Sequence, residues 1–202
     1  MALDTGPYPG RPAVSIVPAV AQVSSLFDRA FALVILGQEG GYQCMRDDPG
    51  NWTGRAVGAG VLRGTKFGIS AASYPTLDIA GLTAAAAAAI YRMDYWNRIA
   101  GDDLPAAIGL LLFDCAVNQG VGFAARTLQH GVWVPVDGVI GPQTVRGVRA
   151  MHDLRGLLDF IGEQRALRYA RDYDEDEFGA DWFRRLLCIF RHSVGLLGEN
   201  HA

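Results

Sequence analysis

The chain has 202 residues, half of them hydrophobic and 19% charged, with a formal net charge of -3, a length and balance that suit one globular domain with a substantial core. The absence of a global basic field argues against nucleic acid as the partner and leaves recognition of any anionic polymer to local contacts. Cys44, Cys115 and Cys188 are too few and too far apart for a disulfide framework or a zinc pattern, and the four histidines share no metal-ligand spacing, so unpaired thiols, a reducing compartment of synthesis and no metal or other cofactor are expected.

Residues 1–23 read as a flexible arm: the apolar stretch from Ala13 to Val23 is interrupted by Pro18 and preceded closely by a single basic residue, Arg11, unlike a secretory signal. Ser24 or Ser25 caps a helix whose Phe27, Phe31, Val34 and Ile35 share one face, and Gly40-Gly41 ends it. From Asp47 to Gly81 the chain is rich in Gly, Pro, Ser and Thr, with short β-prone pieces such as Thr65 to Ile69, and reads as loops around a small sheet. Thr83 caps a second helix through the alanine run to Trp96, and Pro105 opens an apolar helix through Leu110 to Asn118, stopped by Gly120. Further helices are expected over 122–130, from Pro142 through Met151, over 154–173 and over 182–197. The last of these is broken by Arg191 and His192 and is too short and polar to span a bilayer, so no stable membrane insertion is expected. The pattern is mainly α, one domain over 24–202 with a small β region after the first long helix and a helical lobe behind it.

Three residues carry the chemistry. Glu39 ends an apolar helix just before two glycines, where a cleft can open and apolar neighbours can hold a carboxyl protonated for use as a general acid. Nine positions later Asp48 stands in the turn Asp47-Asp48-Pro49-Gly50, which would bring a second carboxylate back toward the helix end. Glycoside cleavage uses such a pair, an acid for the leaving group and a base or stabiliser across the sugar. Thr65, on a β-prone piece before Gly68, offers a hydroxyl to hold a water. Taken singly, each has a plain structural reading: a solvated helix-end Glu, a turn-initiating Asp, a strand Thr.

Taken together and in order, Glu39, Asp48 and Thr65 resemble the Glu, Asp and Thr triad of phage-type lysozymes. The chain resembles glycoside hydrolase family 108 more closely, in Glu39-Gly40-Gly41-Tyr42, in Asp48-Pro49-Gly50 and in Thr65-Lys66-Phe67-Gly68-Ile69. The resemblance continues through Tyr91 to Trp96, Phe113 to Gly120, Leu128-Gln129 and Asp137 to Thr144, spanning roughly Phe27 to Leu187. It implies a lysozyme-like α+β fold and N-acetylmuramidase action on bacterial peptidoglycan in the periplasm, either as a prophage endolysin causing cytolysis or in a secretion system. A holin or a secretion apparatus would then give access to the wall, with the protein itself a monomer. A lytic transglycosylase and a catalytically silent wall-binding or export factor are the rival readings. Two departures stand out: the insertion-like stretch from Asn51 to Gly64, which leaves Thr53 as a competitor of Thr65, and Asp181-Trp182-Phe183-Arg184-Arg185, where relatives carry a Gly-Trp pair and an Asn before the Arg.

Tyr42 and Trp96 are candidate surfaces for stacking on a sugar ring, and Asn118 is a candidate partner for an N-acetyl group or a helix cap. Asp114, one turn before it, is expected to orient a neighbour or to serve the fold. The segment Asp137 to Thr144 is similar to the turn of peptidoglycan-binding modules, which makes 101–202 a peptidoglycan-binding-like part beside a catalytic part over 24–100; a structural helix start explains the same residues.

Overall fold

The computed structural model describes residues 25–38, 41–171 and 179–198, so the expected arm over 1–23 lies outside the described residues. Among these, seven α-helices and one two-stranded sheet make a mainly α protein with a small β region. Ser25 is the cap that opens α1 (Leu26–Val34), its hydroxyl accepting from the Asp28 amide, and Phe27, Ala30, Phe31 and Val34 form the buried face. A short 3-10 turn, Leu36–Gln38, continues toward the two glycines.

The irregular stretch that follows carries β1 (Thr65–Lys66) and β2 (Ile69–Ser70), antiparallel with Thr65 opposite Ser70. Phe67 and Gly68 form the two-residue turn between them at φ 52° and 74°, the left-handed pair that a tight hairpin with the native twist requires. The β-prone piece expected over 65–69 is thus two strands and their turn. The turn is fastened to the helical body by Tyr91, whose hydroxyl donates to the Phe67 carbonyl at 2.9 Å.

Thr83 caps α2 (Ala84–Tyr91) as expected, but the helix does not run unbroken to Trp96. Residues Arg92–Trp96 form a π turn and Asn97–Ile99 a 3-10 turn, and the wider turn shifts the register of the side chains that follow it. Pro105 stands at the N-cap of α3 (Ala106–Gln119), which Gly120 ends at φ 91°. Every residue of α3 from Ala107 to Ala116 is buried. It is the axis of the fold, with α1, α4 (Val121–Gly131), α6 (Leu154–Arg171) and α7 (Gly179–Leu196) packed around it, while α5 (Pro142–Arg149) follows the turn after α4. Trp133, between α4 and α5, is 91% exposed at φ 58°. A bulky residue is strained there; Val132 and Val134 on either side lie inward against Gly147, which fixes the backbone between them.

Beneath α3 lies a buried ionic knot. Asp114, fully buried, accepts from Arg165 Nη2 at 2.6 Å and from Arg185 Nε at 2.7 Å. Arg165, also fully buried, donates Nε to the Gln119 side chain at 3.0 Å and Nη2 to the Tyr169 hydroxyl at 3.3 Å. The expectation that Asp114 serves the fold or orients a neighbour covers what this carboxylate does: it pairs at once with two arginines, from α6 and α7.

Candidate active site

Asp48 caps a short 3-10 turn, Pro49–Asn51, with Oδ1 accepting from the Gly50 amide at 2.7 Å. Asn51 then joins this turn to the strand. Its side chain is fully buried, its Oδ1 accepts from the Thr65 hydroxyl at 2.8 Å and its Nδ2 donates to the Met45 carbonyl at 3.1 Å. The Asn51 carbonyl accepts from the amides of Arg63 and Gly64 at 2.9 and 3.1 Å. Thr65 in turn exchanges both backbone hydrogen bonds with Gln43, at 2.8 and 2.9 Å. Asp48, Thr65 and the strand that follows Gly41 are therefore one hydrogen-bonded unit.

The insertion between Asp48 and Thr65 costs this unit nothing. Residues 52–62 form an excursion closed by the Trp52 and Leu62 bridge and by bonds from Thr53 to Val61 and from Gly54 to Ala59. Its end returns to the Asn51 carbonyl, where it began. Thr53, the competitor of Thr65, uses its hydroxyl to accept from the Val61 amide at 2.9 Å inside the excursion, whereas the Thr65 hydroxyl donates its proton to Asn51 and keeps its lone pairs.

Asn51 is the residue that sequence reasoning missed; it was counted only as the first residue of the insertion. The available signal was a polar side chain directly after Asp48-Pro49-Gly50, where turn chemistry favours a side chain that bonds backbone. Asn51→Ala is expected to lower unfolding stability by about 1–3 kcal/mol, the cost of leaving buried partners unpaired, read as a shift of the urea midpoint at constant slope.

The remaining candidates divide. Tyr42 is 46% exposed, with its ring edge against Gly64, where an added Cβ would lie 2.8 Å from Cε2. Its hydroxyl is pushed above its ordinary pKa, first by its hydrogen bond with the Cys44 side chain and then by partial burial. Asn118 is exposed at the end of α3 and donates Nδ2 back to the Asp114 carbonyl at 2.8 Å and to its Oδ1 at 3.1 Å, which leaves its own Oδ1 as an acceptor. Trp96, expected as a sugar platform, is instead fully buried, edge-on to Phe27 and Phe113, with Nε1 donating to Asp102 at 2.9 Å. The π turn ahead of it and the close approach of Gly101 to its ring put the indole in the core, where no ring face is open to a ligand.

Glu39 lies outside the described residues, but both ends of the segment that carries it are fixed. On one side Arg185, held by Asp114, donates Nη2 to the Val34 carbonyl at the end of α1 at 3.2 Å. On the other, Gln43 is paired to Thr65. Asn118 shares Asp114 Oδ1 with Arg185, so it belongs to the same construction.

The turn from Asp137 to Thr144 is internally satisfied. Gln129 donates Nε2 to Asp137 at 2.6 Å and to the Val139 carbonyl at 3.0 Å, and accepts from the Gly138 amide at 2.9 Å. The Gln129 bond first, and then the Val139 amide donating to Asp137 Oδ1 at 2.8 Å, hold the Asp137 carboxyl below its ordinary pKa, and the whole set gives the motif a structural reason. Among the described residues no cluster of His, Cys, Asp or Glu could hold a metal ion, and no helix is long and apolar enough to cross a membrane. The three cysteines stand unpaired.

Residues 32–120 match the family model described as Glycosyl hydrolase 108, a stretch that includes Glu39, Asp48, Thr65 and Asn118. The solved structure of Brucella abortus SagA superposes with a TM-score of 0.65 at 30% identity, covering 84% of this chain and 94% of that one. No curated protein matches the chain.

Proposed function

The chain belongs to the glycosyl hydrolase 108 family, and from that premise we propose that it is an N-acetylmuramidase that cleaves the β-1,4 bond between N-acetylmuramic acid and N-acetylglucosamine in peptidoglycan. Glu39 is the general acid that protonates the leaving oxygen. Asp48 takes one proton from the attacking water, and the Thr65 hydroxyl, its own proton committed to Asn51, orients that water by accepting a hydrogen bond from its other O–H. Tyr42 and Asn118 contact the sugars. Supporting this is the fixed frame around residue 39: Arg185 anchors the chain before it and Thr65 the chain after it, on the strand unit that also holds Asp48.

Attack by water on the face opposite Glu39 inverts the anomeric centre and requires the two carboxyl groups to stand roughly 6.5–9.5 Å apart. The protein acts on the wall side of the inner membrane as a monomer, reached through a holin or a secretion route.

The test is product analysis. Purified sacculi digested with the full chain are expected to yield reducing muramic acid ends, by mass spectrometry, in the α configuration when followed by early-time NMR. Anhydromuramic ends would move the chemistry to the transglycosylase class. Binding to sacculi with no bond cleavage would leave a wall-binding or export factor.

A further inference from the structure

Beside the candidate site runs a groove of about 410 Å³ lined by Tyr42, Leu62, Arg63, Asp78, Ile79 and Ala80. One side belongs to the strand unit: the Tyr42 ring lies along Gly64, and Arg63 directly precedes it. The other is the segment 77–80, laced to the strand by Arg63 Nη1 on the Leu77 carbonyl at 3.4 Å and by Lys66 Nζ on the Ala80 carbonyl at 2.9 Å. The groove is thus built on elements already fixed, and its Arg63 stands two residues before Thr65 in the chain.

Its lining carries one charged side chain of each sign, Arg63 and Asp78. Arg63 is half-buried and Asp78 exposed, both line the groove, and each bonds a backbone group, Arg63 the Leu77 carbonyl and Asp78 the Gly81 amide. The Asp78 carboxylate accepts from the Gly81 amide at 3.1 Å, and its charge reaches the Tyr42 hydroxyl. A neutral sugar laid in this groove would return hydroxyl hydrogen bonds to the cation and the anion but no counter-charge to either. A ligand that carries both a carboxylate and an ammonium group would satisfy the two together.

We propose that this groove is a specificity subsite for the peptide substituent of the glycan strand, with Arg63 binding a peptide carboxylate, Asp78 a peptide ammonium group and Tyr42 the sugar from which the peptide hangs. The proposal rests on the hydrolase reading above and adds to it that the enzyme selects peptide-bearing strands over bare ones. One charge-assisted contact in a partly covered groove corresponds to a preference of roughly 10-fold or more.

The experiment compares kcat/KM of the full chain on glycan strands that retain their stem peptides and on the same strands stripped by an amidase. The unaltered protein is expected to favour the peptide-bearing strands about 10-fold or more. Arg63→Gln should bring the ratio between the two substrates close to one, Asp78→Asn should lower it, and Arg63→Lys should keep most of it. An Arg63 that only braces the fold would lower both rates in proportion in the glutamine variant and leave the ratio intact; that result overturns the proposal. Equal cleavage of both strands by the unaltered protein overturns it as well while leaving the hydrolase reading in place. Cleavage of neither overturns the hydrolase reading and the subsite with it.

Discussion

Glu39→Gln is expected to lower kcat on peptidoglycan by about 10²- to 10⁴-fold, the usual contribution of a positioned general acid, equivalent to roughly 3–5 kcal/mol of barrier. The amide fills the same volume and keeps a hydrogen-bonding end, so the melting temperature should not move. What it lacks is a proton to give to the departing oxygen. Asp48→Asn provides the matching half: an asparagine still caps the Pro49–Asn51 turn through its side-chain oxygen, yet cannot take a proton from water. Loss of activity in both variants with unaltered stability is the outcome expected for an acid and base pair. Full activity of Glu39→Gln in a sacculus turbidity assay would refute the assignment.

Asp114→Asn is expected to do the reverse, striking stability first. Asp114 and Arg165 are both fully buried and Arg185 lies partly buried against the same carboxylate. Removing the anion leaves two guanidinium groups without a counter-charge in the interior, at a cost of about 3–5 kcal/mol. For a domain of this size that corresponds to a fall in melting temperature of roughly 6–20 °C. Replacing Asp114→Leu with Arg165→Met together should recover part of the loss, because it removes the fully buried one of the two stranded charges and leaves only Arg185, which is partly exposed. A single-variant drop below 1 kcal/mol by urea titration would show that water reaches the knot. Because Arg185 passes from this knot to the Val34 carbonyl, the asparagine variant assayed well below its melting point should also show reduced kcat.

Much of the helical order was legible in the chain because it rests on local chemistry. Ser25 and Thr83 are caps whose hydroxyls accept the amides three residues on, and Gly120 ends α3 in a backbone conformation that suits glycine. The π turn over Arg92–Trp96 was not legible: the alanine run before it and the aromatic residues in it suit an ordinary helix equally well. The expectation for Trp96 failed for a related reason: an aromatic residue on a helix reads the same whether it faces the core or a ligand. At the candidate site, Asp48 and Thr65 were singled out by their order, but the distance between them in sequence suggested separation. The correction came from backbone bonds between Asn51 and residues 63 and 64, which no side-chain pattern announces. Arg63 and Asp78 stand 15 positions apart, since 78 minus 63 is 15, and only the fold makes them walls of one groove.

The self-closed excursion over residues 52–62 has a use for whoever handles this protein. Since its first residue, Trp52, bonds to the Pro49 carbonyl, the chain that returns from it bonds to the Asn51 carbonyl and its tip around Val57 is exposed, the polypeptide can be lengthened there without passing strain to the strand unit. Doubling a flexible loop costs only about 0.6 kcal/mol of closure entropy. An epitope or a fluorophore-bearing peptide spliced between Val57 and Gly58 would report where the protein goes in a cell, and it would leave both termini free.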